Sequence, residues 1–174
     1  MNTPPEFPAG EYQPPGSLEQ PQRESLIEQL ASFPQELGQV VAGLDNSQLD
    51  TKYRNWTIRQ IVHHLADSHT NCYVRWKLAL TEDSPTIKSY DETLWSEVSD
   101  AKSLPVESSL QMLSGLHSRW AQLGRQLDTT SFARGFFHPE LERIVTLEET
   151  LPNYVWHGLH HKAQIEWVKQ QHDW

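Results

Sequence analysis

The chain has 174 residues, with 14 Lys and Arg against 23 Asp and Glu and a formal net charge of -9. That charge opposes the phosphate backbone of a nucleic acid, no run approaches the roughly 18 apolar residues that cross a bilayer, and the start MNTPPEFPAGEY lacks the basic and apolar regions of a signal peptide. Neither nucleic acid nor membrane is expected as a partner, and the cytoplasm is the expected location. The single cysteine, Cys72, excludes an internal disulfide and a cysteine-rich metal cage, so nitrogen and oxygen ligands would have to hold any metal.

Residues 1–20 carry Pro4, Pro5, Pro8, Pro14 and Pro15 without helical periodicity and read as an extended, proline-rich arm ahead of one domain spanning 21–174. From Pro21 onward, Leu26, Leu30, Phe33, Leu37, Val40, Val41 and Leu44 recur at threes and fours, the mark of a helix with one buried face. Pro34 should kink that helix or split it. After a polar link, Thr57 and Gln60 have the spacing of a capping box. They predict a long helix from about Ile58 to about Leu80, with Ile58, Ile61, Val62, Leu65, Ala66 and Val74 as its buried stripe.

Residues 81–104 are rich in Ser, Thr, Asp and Pro and read as a crossover connection, with a short helix around Glu92–Val98. Pro105 suits the first turn of a third long helix, whose core face is Leu110, Leu113, His117, Trp120, Leu123 and Leu127. The stretch from Phe132 to Val145 fits either a hairpin or a structured loop. Thr146 and Glu149 repeat the capping-box spacing and open a last helix running to about Gln171. Four amphipathic helices with little strand signal predict an all-α four-helix bundle.

Histidines concentrate in HHLADSH (63–69) and WHGLHH (156–161). His157 and His161 are four apart, which on a helix puts both imidazoles on one face and within reach of one ion. A third ligand can come from His63 or His64, whose directions differ by about 100°. Periodicity leaves the two tied. Ser68, Asn71 and Arg75 follow His64 as a polar row that suits a pocket wall and suits solvent equally well.

The stretches WTIRQIVHHLADSH (56–69), NCYVRWK (71–77) and YVWHGLHH (154–161), with GEY (10–12), SQLDTKYR (47–54), YDETLWSE (90–97) and RGFFHPE (134–140), resemble the DinB-like superfamily. They are most similar to its YfiT-like branch of candidate metal-dependent hydrolases. The resemblance implies an up-down-down-up four-helix bundle, a homodimer, and a divalent metal held by the histidine of the HL step and by two histidines four apart on the last helix. Carried onto this chain, the ligands are His64, His157 and His161. Further histidines often follow that pair in the family, whereas here Leu159 and Gln164 stand nearby and only His160 is extra.

Three neutral imidazoles suit zinc, nickel, copper or iron, with zinc preferred and nickel next, and leave a coordination position open, since structural zinc sites are normally closed by four protein ligands. The expected function is a metal-dependent hydrolase acting on a small-molecule substrate. Transfer of a low-molecular-weight thiol and non-catalytic metal binding in a stress response are the alternatives. Asp67 is a candidate to orient a histidine or accept a proton. Arg75 is a candidate to pair with an anionic substrate group, with a surface ion pair as its plainer role.

Overall fold

A computed structural model describes residues 3–174. The Glu19 amide donates to Gln22 Oε1 at 2.7 Å at the start of α1, Gln20–Val41, with Pro21 in the first turn, where its missing amide hydrogen costs nothing. Pro34 does not split this helix. A short α2, Asn46–Leu49, follows, and the polar link forms a hairpin of β1, Lys52–Tyr53, with β2, Trp56–Thr57. The Thr57 hydroxyl accepts from the Gln60 amide at 3.1 Å, and Gln60 Oε1 accepts from the Thr57 amide at 3.0 Å. This box starts α3, Ile58–Thr81.

The crossover carries α4, Glu92–Ser96, and α5, Ser99–Ser103. Pro105 lies ahead of the next helix rather than in its first turn: Val106 is the cap of α6, Glu107–Arg125. After α7, Thr129–Phe132, the ambiguous stretch is a hairpin in which β3, Gly135–His138, pairs antiparallel with β4, Arg143–Thr146. The Thr146 and Glu149 capping box then starts α8, Leu147–Gln171.

The four long helices form a four-helix bundle. α1 packs on α6 and α8, and α3 packs on the same two, so α1 and α3 sit on one diagonal and α6 and α8 on the other. One consequence is that α3 is covered on both flanks. The core has two halves. Trp76 and Trp120 meet edge to face at 5.4 Å in one, and Leu37, Ile58, Ile61, Leu65 and Leu113 fill the other. Val74, expected in the stripe of α3, is 49% exposed, because nine residues after Leu65, at about 100° per residue, it points to the opposite face of the helix.

Arg59 ties the start of α3 to its surroundings: it is buried, and its guanidinium donates to Asp50 at 2.8 Å, to Asn46 at 2.9 Å and to the Leu104 carbonyl at 3.0 Å. The proline-rich arm lies along α8. Trp156 Nε1 donates to the Gly10 carbonyl at 3.0 Å, and the Leu18 amide donates to Glu148 at 2.8 Å. Among the described residues no helix is long and apolar enough to cross a membrane.

Candidate metal centre

His157 and His161 stand one turn apart on α8, and His64 faces them from α3. Nε2 of His64 lies 3.2 Å from Nε2 of His157, and one ring nitrogen from each of the three residues falls within a 4.8 Å set. Nitrogens bound tetrahedrally to one zinc at about 2.0–2.1 Å would be about 3.3 Å apart, so the geometry and the donor type both fit a divalent ion.

His63 takes no part. Because α3 is covered on both flanks, His63 is buried as well, but against α6. Its Nδ1 lies 2.7 Å from the Ser109 hydroxyl and its Nε2 3.1 Å from the Leu104 carbonyl. Of the adjacent pair, only His64 faces the histidines of α8.

Two networks behind the ligands escape a reading by spacing. On α8, His161 Nδ1–H donates to Gln164 Oε1 at 2.8 Å, and the Gln164 amide donates to His160 Nε2 at 2.8 Å. Gln164, which stands near where the family often places another histidine, thus directs the Nε2 lone pair of His161 toward the site. Behind His157, its Nδ1 lies 3.2 Å from His69 Nε2, and His69 Nδ1 lies 2.8 Å from His117 Nε2. His69 and His117 are fully buried and stack at 4.9 Å with an interplanar angle of 12°, with Phe33 against both at 5.7 Å. A Cβ at Gly158 would come within 2.9 Å of the Phe33 ring, so glycine lets α8 pack this close to α1.

Burial keeps these rings neutral, the state a ligand requires. It pushes His64 down to about 4, and it holds His69, His157 and His161 well below the ordinary histidine value, with neighbouring imidazoles adding to the effect. Trp56, placed by the β1–β2 hairpin, walls the site at 4.5 Å from His64 and 6.0 Å from His161.

His157 also borders a polar cavity of about 220 Å³, lined by Ser68, Arg75, Ser89, Tyr90 and His138 among others. The polar row of α3 therefore contributes Ser68 and Arg75 to a pocket wall. Arg75 reaches only the Lys88 carbonyl, at 3.5 Å, and joins none of the ion pairs among the described residues. The surface ion pair considered for it is not formed. Ser89 Oγ and His138 Nδ1 are buried without hydrogen-bond partners. Asp67 contacts neither His63 nor His64 through its carboxyl: the bond made there is from the Asn71 amide to the Asp67 backbone carbonyl, at 2.9 Å. Burial, then the charge of Asp100, raises its pKa to about 6.

The family model of the DinB superfamily matches residues 29–165. The chain belongs to the DinB superfamily. A DinB relative, YfiT of Bacillus subtilis, named as a candidate metal-dependent hydrolase, is 47% identical over 170 residues, covering 97% of this chain and 96% of its own. A similarly named protein of Oceanobacillus iheyensis is 44% identical over 97% of this chain and 98% of its own. The solved structure of B. subtilis YfiT, described as having an unusual four-helix bundle topology, superposes with a TM-score of 0.93 over 97% of each chain. A mycothiol-dependent maleylpyruvate isomerase shares the fold at a TM-score of 0.60 and 16% identity, over 79% of this chain and 60% of its own.

Proposed function

We propose that this DinB protein is a metal-dependent hydrolase in which His64, His157 and His161 hold one divalent cation, zinc before nickel. The observation that carries the reading is the approach of three neutral imidazoles from two helices beside a polar cavity, with no fourth protein ligand among the described residues. Such an ion acidifies water toward a pKa of about 7 and polarises a carbonyl or phosphoryl oxygen.

The chain's own residues do the rest. Trp56 and the bundle core shield one side of the site, and the substrate enters on the side of His157 through the cavity. Arg75, which forms no ion pair although Glu92 and Glu140 line the same cavity, holds an anionic group of the substrate there, with Ser89 Oγ and His138 Nδ1 as the polar atoms that a bound group would satisfy.

The test is turnover of small esters, amides and phosphoesters by zinc-loaded protein. Activity that chelation abolishes is expected, with anionic substrates preferred. Arg75→Ala should raise KM for them about 10–100-fold, the value of a hydrogen bond to a charged group. Turnover of none of the panel would contradict the reading, and a thioether product from an added low-molecular-weight thiol would assign transfer chemistry instead.

A further inference from the structure

Pro34 has no amide hydrogen, so the Leu30 carbonyl four residues earlier has no donor within α1. The bundle supplies one: His117 Nδ1 lies 2.5 Å from that oxygen. A carbonyl can only accept, so this hydrogen sits on Nδ1 of His117. The Nε2 of a neutral His117 is then a bare lone pair, and the nitrogen 2.8 Å from it, His69 Nδ1, must carry the next hydrogen. The same step repeats at 3.2 Å, where His69 Nε2 accepts from His157 Nδ1. A hydrogen placed the other way at any link would set two bare lone pairs or two N–H groups face to face, or require an imidazolium in a site with no carboxylate partner.

We infer that Pro34, His117 and His69 form a relay that fixes the tautomer of His157, so that its Nε2 lone pair is always presented to His64 and His161. The relay ends on a backbone oxygen that cannot change its role, so the polarity of the whole chain of rings is set by a proline on a different helix. His117 and His69 are positioning residues: they touch neither substrate nor metal and act through His157. Their effect on metal affinity rests on the proposed role of His157 as a ligand, whereas the hydrogen positions do not.

Long-range 1H–15N spectra of the full-length 15N-labelled protein, zinc-loaded and chelator-treated, test this. His69, His117 and His157 should each show hydrogen on Nδ1 and none on Nε2. In His117→Leu, His157 of the chelator-treated protein should become a mixture of tautomers, and zinc affinity should fall about 10–100-fold, the usual effect of removing a group that orients a ligand. His117→Gln should restore both, because its amide can donate to Leu30 while its oxygen accepts from His69. Hydrogen on Nε2 of His69 or His157 in the wild-type spectrum would overturn the inference, even if His117→Leu did not fold. A folded His117→Leu with unchanged tautomers and affinity would also overturn it. Nδ1–H at all three rings in a protein that binds no zinc would refute the proposed function while leaving the relay intact.

Discussion

Substituting alanine for His64, His157 or His161 should abolish stoichiometric zinc binding, while His63→Ala should leave it in place. The contrast follows from the two flanks of α3. His64 points toward α8 and comes within 3.2 Å of His157, whereas His63 is held against α6 by Ser109 and Leu104. Loss of a direct ligand from a three-nitrogen set should exceed the roughly 10–100-fold cost of losing a group that merely orients one. Elemental analysis of the four purified variants, with circular dichroism to verify folding, measures it. Unchanged zinc content in the three ligand variants, or zinc lost from His63→Ala alone, would place the metal elsewhere.

Cooperative acid unfolding of the chelator-treated protein is expected as the pH falls from 6.5 to about 4. His64 and His117 are buried, and burial lowers each from 6.5 to about 4. Below 6.5 the unfolded chain takes up a proton at each position and the folded chain does not, so stability falls with pH until the folded groups titrate as well. At about 1.4 kcal/mol per pH unit each ring costs roughly 3 kcal/mol across that window. Two such rings therefore remove a large part of the 5–15 kcal/mol typical of a folded domain, and His69, His157 and His161 act in the same direction. Asp67 acts oppositely: its pKa is raised, so the folded chain takes that proton first and regains some stability as the pH drops through about 6. One half-buried carboxyl does not offset five imidazoles. Zinc, which binds the neutral rings, should move the transition to lower pH. A flat stability profile from pH 6.5 to 4, read from helical circular dichroism against urea, would contradict this account.

What the residues reveal unaided depends on whether one helix holds the information. The pairing of His157 with His161, both capping boxes flanking the histidine helices and the extents of α3 and α8 are local properties of spacing, and they are legible. The choice between His63 and His64 is not, because α3 has neighbours on both sides and periodicity describes only a single buried stripe. The resemblance to the DinB-like proteins assigns His64, and the structure brings that residue, not His63, to the α8 pair. His117 reads as one more position on an apolar face, and Pro34 reads as a helix breaker. Their joint meaning appears only when α1 and α6 are packed and the unpaired Leu30 carbonyl meets an imidazole. The β3–β4 hairpin was ambiguous for a similar reason, since four-residue strands carry too few alternations to separate them from a loop.

The central claim is that three imidazoles hold one ion with a position left open. X-ray absorption at the metal edge of the as-purified protein tests it most directly. The account predicts three imidazole nitrogens at about 2.0–2.1 Å together with at least one non-histidine oxygen. An ion closed by four protein ligands, or a protein that retains no metal and takes up none, would contradict it.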